Sequence, residues 1–419
     1  MANQSRQYDI VVFGATGYTG KYTCEHIVAH FPTDLKWAVA GRSANKLQGV
    51  VDELKHMNAD RIPPCTPASI EESSLDPEQL AALARKTKIL LTTVGPYARF
   101  GTPVVEACIK SGTHYFDITG ETPWVREVVQ KYHDQAKAAK VIIIPQIGVD
   151  SAPADLLTWS LVTHVRRTLN QPVKDVNFTV HEIKSKPSGG TLASLLGLFD
   201  VYSLNDVRKA MNPWSLSPIP PNPSSSGVSL VQMLTGVKTV SDLGTLTTSI
   251  QGPVDRTQVY RSWGLMDAGK FYGSAFRFHP FMTVRNAFIG LLVHSMLALG
   301  GLALVLPPVR WLLKKLVYAP GQGPTKDEVK SDRVEYRAIA TAETSDPAEP
   351  KRSYGRLTFH GSMYHMTGVF LAEAAISLLK DESLAKEMGG GVLTPATLGA
   401  GYIERLQKVG FTLDLKTMP

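Results

Sequence analysis

A short apolar run, Tyr8–Phe13, passes directly into Gly14-Ala15-Thr16-Gly17-Tyr18-Thr19-Gly20. The residues that follow, through His30, put Cys24, Ile27, Val28 and Phe31 on one helical face. Strand, glycine turn and helix in that order admit few folds. Gly14 permits the tight turn, Gly17 lets backbone approach a pyrophosphate, and Gly20 lets helix pack close to strand. Thr16, Tyr18 and Thr19 fill the turn, where the helix N-terminus offers free N–H groups and the positive end of its dipole to phosphates. The first expectation is therefore a dinucleotide site close to the N-terminus.

The alternation continues. Lys36–Ala40, Ile89–Val94, His114–Ile118 and Val141–Ile147 read as strands. Helices are expected over Ala44–Met57 and Pro103–Ser111, the latter closed by Gly112. A further helix is expected from Thr122-Pro123, with Thr as N-cap, to about Ala139. This pattern predicts an α/β chain whose N-terminal part is a doubly wound parallel sheet of Rossmann type, residues 1–150.

The end of the second strand tests the cofactor. An NAD site usually carries an acidic residue there for the ribose 2′-hydroxyl. This chain has Gly41-Arg42-Ser43, with Lys46 one turn later. Arg42 can pair with a 2′-phosphate and Ser43 can donate to it, so NADPH is the expected cofactor. Val94, Gly95 and Pro96 end a later strand, where such a sheet carries the nicotinamide side. Tyr97 follows them as a candidate proton donor, or else as an aromatic packing residue.

Between Arg285 and Arg310 lie 24 residues without a formal charge, centred on Ala287–Leu306. A helix of that length approaches the ~30 Å of a bilayer core. From Ala268 to Lys326 there are seven basic residues and no Asp or Glu, so the whole formal excess of +7 sits in this segment. A basic collar on an apolar run suits an anionic lipid surface. The balanced remainder argues against nucleic-acid binding. A helix buried in protein or in an oligomer interface is the competing reading. Pro307-Pro308 should end the run, leaving Val309–Tyr318 as an amphipathic stretch. Folded-looking sequence on both sides favours insertion without crossing.

Three scattered cysteines, Cys24, Cys65 and Cys108, form no metal-ligand pattern and fit a reducing compartment. The N-terminus shows no secretion signal, so any lipid contact is expected from the cytosolic side. Further along, Asp175–Glu182 reads as the first strand of a second domain. Ser188–Thr191 is a second glycine turn before a helix over Leu192–Phe199, making Gly190 and Thr191 candidate substrate contacts. Arg333–Glu343 and Tyr354–His360 read as paired strands and Gly361–Leu379 as a helix. A C-terminal helix is expected from Thr394 and Pro395 to a stop at Gly410. Asp117, Glu121, Asp150, His181 and Glu182 are the titratable candidates near strand ends. Asp150 is the one taken as catalytic, because a doubly wound sheet places ligand-binding groups after its sixth strand. Its alternative role is capping the helix that begins at Ala152-Pro153. The Tyr/Lys pattern of short-chain dehydrogenases is not in place.

VVFGATGYTG, WAVAGRSANKL, TTVGPY, YFDITGE and GVDSAPADL resemble the saccharopine dehydrogenase-like oxidoreductases, as do the later SGGT, DRTQ, GPT and GGGVLTPA. That family includes lipid-droplet-associated proteins and trans-acting enoyl reductases. The resemblance implies a mixed α/β substrate domain, 151–285 with 327–390, and a membrane-associating segment, 286–326. It also implies a C-terminal helix within 391–419 that packs back on the core. Relatives end their third strand in an acidic residue for the adenine amine; Ala68–Ser74 offers Glu72 or Ser73 there. The implied activity is NADPH-dependent reduction of a lipid-like or polyketide-like acyl thioester, delivered by a carrier protein or synthase, at the cytosolic face of a membrane or lipid droplet. A homodimer is a further possible assembly. Two other functions compete. One is a saccharopine-type amino-acid dehydrogenase, whose dicarboxylate substrate needs basic side chains such as Arg256 and Arg261 to converge. The other is a non-catalytic NADPH-binding lipid-droplet protein.

Overall fold

The computed structural model describes residues 6–57, 66–185, 197–220, 229–316, 324–325, 327–329, 331–344 and 350–419. The first half alternates as β1 (Tyr8–Phe13), α1 (Tyr18–His30), β2 (Trp37–Gly41), α2 (Ala44–Lys55), β3 (Ser69–Glu72), α3 (Pro77–Lys86), β4 (Thr87–Thr92), α4 (Tyr97–Ser111), β5 (His114–Asp117), α5 (Thr122–Ala138) and β6 (Ile142–Ile144). Then come α6 (Ala152–Leu169), β7 (Val173–Lys184), α7 (Leu204–Ala210), α8 (Leu230–Thr235), β8 (Lys238–Val240), β9 (Gly244–Thr248), α9 (Gly252–Leu265), β10 (Arg277–Val284), α10 (Ala287–Leu304) and α11 (Pro307–Leu316). The chain ends with β11 (Arg333–Ala342), β12 (Arg352–His360), α12 (Met363–Lys380), α13 (Leu384–Glu387), β13 (Gly391–Val392), α14 (Gly399–Lys408) and β14 (Phe411–Thr417).

Two sheets organise the described residues. The first runs β13-β6-β5-β4-β1-β2-β3, and its strand pairs are parallel. Continuous apolar strands fit a sheet covered on both faces: Ile10–Val12 and Ile89–Leu91 are buried. The strand order reverses between β1 and β4, which opens a crevice at their carboxyl ends. The second sheet runs β14-β12-β11-β7-β10-β9-β8. It is mixed, with β7 and β10 parallel and β11 antiparallel to both β7 and β12. Helix α6 covers it: a side chain at Gly355 of β12 would strike Leu157 and Leu161.

The C-terminal third weaves the two units together. Helix α12 returns from the second sheet and packs on α1, where Gly368 lies against Tyr22 and Thr23. There buried His26 and Glu373 pair at 2.7 Å. β13 then extends the first sheet beyond β6. The final segment is more than the expected helix. A 3-10 turn (Pro395–Leu398) precedes α14, and β14 closes the edge of the second sheet.

Several boundaries differ from the periodicity for local reasons. Helix α4 begins at Tyr97, six residues before Pro103, because a distant carboxylate caps its start (below). β6 ends at Ile144, and Gln146 turns the chain with φ of 62°. The N-cap of α5 is Glu121, so Thr122 is its first residue.

The apolar segment is a helix, and it is not buried. Of α10, Gly290 alone is fully buried, while Phe288, Met296, Leu299 and Leu302 are exposed. Pro307 starts α11 immediately, and Trp311 and Leu312 there are also exposed.

Candidate functional site

The glycine turn after β1 has the geometry that its sequence implies. Gly14 takes φ of 93°, and a Cβ there would lie 2.7 Å from Thr93 Oγ1. A Cβ on Gly20 would run into the Gly14 carbonyl, which sets the close approach of α1 to β1. Gly17 is the N-cap of α1 with no side chain to cap it, and a Cβ added there would meet only the turn's own Gly14 oxygen and, at 4.0 Å, Thr93 Oγ1. Thr16 is exposed and Tyr18 and Thr19 are half-buried, so the start of α1 stands open. A pyrophosphate fits that opening, with the first-turn N–H groups and the helix dipole as its donors. The Tyr18 phenol turns away and donates to the Pro324 carbonyl at 2.7 Å.

At the end of β2, Arg42 and Lys46 are exposed. The Ser43 oxygen accepts the Lys46 N–H as the N-cap of α2, and its own proton is left to donate. Two cations and a hydroxyl at this strand end suit a 2′-phosphate. Ser73 is buried after β3 and its N–H donates to the Gly41 carbonyl, so Glu72, which is exposed, is the side chain available to an adenine.

Val94, Gly95 and Pro96 join β4 to α4, with a cis peptide at Gly95–Pro96. The helix start belongs to Glu121, which is buried and accepts the Tyr97 and Ala98 N–H groups, each at 2.8 Å. This carboxylate explains why α4 starts early: it occupies the N-terminal dipole and holds the loop. The Tyr97 phenol is not placed as a proton donor. It is buried against Trp124 and donates to the Thr92 carbonyl at 3.0 Å; burial raises its pKa well above the usual value. Of the two roles open to it, packing fits these contacts.

Asp150 does not cap α6, whose N-cap is Ser151. Its carboxylate accepts from the Gln251 amide at 2.6 Å, at the start of α9 in the second unit. On the first unit's side, a Cβ on Gly120 would stand 3.1 Å from its Oδ2. Asp150 therefore bridges the units beyond β5 and β6 and keeps a partly exposed face. Burial raises its pKa, with the Gln251 bond opposing. Buried Asp255 is raised further, by burial and by the charge of Asp150, with Arg256 opposing. Asp117, at the end of β5, is raised to about 7 by burial. Asp117 Oδ2, the Gln146 amide, Ser151 Oγ and Tyr336 OH are buried there without a partner among the described residues. Ser151 also holds φ of 105°. These unsatisfied polar atoms and the strained Ser151 make the crevice the candidate ligand site.

Arg261 is not available to share a dicarboxylate with Arg256. Arg261 is fully buried and donates to the Leu216 and Val392 carbonyls, joining α9 to β13. Gly190 and Thr191 lie outside the described residues, as does most of the helix expected over Leu192–Phe199. His181 and Glu182 sit on β7, and His181 approaches Thr283 of β10 at 3.4 Å. The sequence reading missed Gln251 and Asp255 as partners of Asp150. The DRTQ motif contained Asp255, but only the fold brings α9 against the loop after β6.

The saccharopine dehydrogenase NADP binding domain matches residues 10–144. The chain is 30% identical to trans-acting enoyl reductases of Mycobacterium ulcerans and Mycobacterium bovis, over 99% of each sequence. It is 33% identical, over 99% of both sequences, to a Mycobacterium tuberculosis protein provisionally given the same activity. Among solved structures, saccharopine dehydrogenase (L-Glu forming) from Saccharomyces cerevisiae superposes with a TM-score of 0.59. That match covers 98% of this chain and all of the other at 12% identity, a likeness of fold. The cofactor is NADP(H), which the open glycine turn and the cationic end of β2 fit. The chain belongs to the saccharopine dehydrogenase-like oxidoreductases and, within them, to the family of the trans-acting enoyl reductases.

Proposed function

We propose that this protein is an NADPH-dependent reductase of the carbon–carbon double bond in an enoyl thioester, acting in trans on a lipid-like or polyketide-like chain presented by a separate synthase or carrier. The end-to-end likeness to proteins named for that activity carries this reading. Bound NADPH supplies a hydride for the β-carbon. The chain's residues do the rest. The turn Gly14–Gly20 holds the pyrophosphate, Arg42 and Lys46 the 2′-phosphate, and the Glu121-capped loop Val94–Pro96 shapes the reacting end. Asp150 delivers the proton to the α-carbon: burial raises its pKa and favours the protonated acid, and the Gln251 amide, which opposes that shift, fixes its direction. The π bond is replaced by two C–H bonds, and solvent returns the proton to Asp150. The commitment of buried Arg261 to the Leu216 and Val392 carbonyls speaks against a dicarboxylate amino acid as substrate. Incubating the purified protein with NADPH and a panel of enoyl thioesters tests the reading. NADPH oxidation with those substrates, and none with saccharopine-type amino-acid precursors, is the expected result; the reverse pattern sinks it.

A second proposal concerns residues 286–326, which on this reading dock on the cytosolic face of a membrane or lipid droplet without crossing it. The exposed apolar surface of α10 and the acid-free basic flanks support it. Protease should cut on both sides of the segment in intact microsomes; protection of the C-terminal region alone would make the segment a true span.

A further inference from the structure

The exposed apolar surface is larger than the uncharged run. Helix α8 presents Leu230, Val231, Met233 and Leu234 to solvent, each at least 60% exposed.

 It packs beside α10, where Gly236, closing α8, lies directly against the His294 ring. α10 is rooted in the same place. The Gly290 carbonyl accepts from Thr247 Oγ1 at 2.8 Å, and His294 Nδ1 meets Thr248 Oγ1 at 2.8 Å, both on β9. Past these anchors run the turns from Ser295 to Leu304, about 15 Å of helix at ~1.5 Å per residue. That is half of a ~30 Å hydrocarbon core, the depth of one leaflet. The free part of α10 is apolar on every side, with Met296, Leu299 and Leu302 exposed beside Gly300 and Gly301. A protein partner needs one apolar face, whereas hydrocarbon suits all of them.

The surface is also tied to the cofactor crevice at two points. The Arg310 guanidinium of α11 lies over the Phe199 ring at 5.6 Å, and the adjacent Asp200 pairs at 3.2 Å with Arg99 in the first turn of α4, just after the Val94–Pro96 loop. Beyond α11, the Pro324 carbonyl accepts from Tyr18 at the start of α1. Both tethers reach the carboxyl-end side of the first sheet.

We propose that α8, α10 and α11 form one surface that enters a single lipid leaflet, mounted at the mouth of the cofactor crevice so that a lipid-borne acyl chain reaches the reacting end from the hydrocarbon layer. This rests on the lipid-docking reading of residues 286–326 and adds α8, a fixed depth and a direction of substrate entry. Flotation with phosphatidylcholine–phosphatidylserine vesicles tests it on three proteins: the full chain, Leu230→Asp/Leu234→Asp in α8, and Leu299→Asp/Leu302→Asp in α10. Calorimetric NADPH binding checks that each is folded. Both variants should bind vesicles at least tenfold more weakly and keep NADPH affinity within twofold. The α8 variant should also raise KM for a long-chain enoyl thioester held in vesicles, leaving kcat and the KM of a short soluble one unchanged. Normal flotation of the α8 variant beside failure of the α10 variant overturns the joint surface. Normal flotation of both overturns the lipid reading itself. An equal rise in KM for both substrates overturns the entry route. Absence of any enoyl turnover counts against the proposed activity, and flotation still decides the surface.

Discussion

Replacing Glu121 by Gln should separate the two ends of the cofactor site. The carboxylate accepts two backbone N–H groups of α4, each at 2.8 Å, from a buried position. Pro96 offers no side-chain cap and the first turn of α4 holds no acidic residue, so no other group replaces it. Gln keeps one oxygen and sets an NH2 against the second N–H. One bond is lost and leaves a buried donor unpaired; the other loses its charge. Hydrogen bonds to charged groups contribute ~1.5–3 kcal/mol and neutral ones ~1, so the substitution should cost about 2–4 kcal/mol. Urea unfolding measures that cost. If the held loop shapes the nicotinamide side as proposed, NADPH should bind several-fold more weakly, while adenosine 2′,5′-bisphosphate, which carries only the adenine end, should bind as before. A stability change under about 0.5 kcal/mol, or equal weakening of both ligands, would refute the reasoning.

Arg42→Ala should weaken NADPH by about tenfold or more and leave NADH nearly unchanged by calorimetry, since a charged hydrogen bond to the 2′-phosphate is lost. Gly17→Val should abolish dinucleotide binding in a protein whose circular dichroism is unchanged, because the side chain would project into the open turn where the pyrophosphate sits. The share of stability carried by two buried carboxyls should depend on pH in a definite direction. Burial raises Asp117 and Asp155 to about 7 in the folded protein, whereas an unfolded Asp releases its proton near ~3.9. Between those values the folded state binds more protons at these two groups, so their contribution to unfolding free energy is full below about pH 4 and is lost as pH rises to about 7, by up to ~1.4 kcal/mol per unit for each group, while buried His114 and His279, lowered to about 4, act in the opposite direction. Asp155→Asn should remove its share of that slope in urea titrations at several pH values.

The first sheet was legible because its signals are local. β1, the glycine turn and α1 lie within one stretch, and buried parallel strands read as plain apolar runs. The cationic end of β2 was legible for the same reason. What escaped the sequence depends on distant partners. The start of α4 is set by Glu121, and Pro103 concealed it. β13 and β14 are short or edge strands whose pairing comes from long crossovers, so periodicity marked that region only as a helix. The carboxyl pair of Asp150 and Asp255 arises when α9 meets the loop after β6, a contact that spacing cannot express. The apolar run declared its composition, and only the packing of its first turns on β9 reveals how much of the helix is free. Tyr97 stayed open between two roles because an aromatic beside such a loop has the same sequence signature whether it packs or reacts.

The most direct test of the account follows the hydrogen atoms. Turnover of an enoyl thioester with NADPH deuterated at the nicotinamide C4, in light water, should put deuterium on the β-carbon and a solvent hydrogen on the α-carbon. In Asp150→Asn the β-carbon label should persist while the rate falls and its dependence on the acid's ionisation disappears. Deuterium on an amine-bearing carbon from an amino-acid precursor, or no deuterium in any enoyl product, would contradict the claim that this crevice reduces a conjugated double bond.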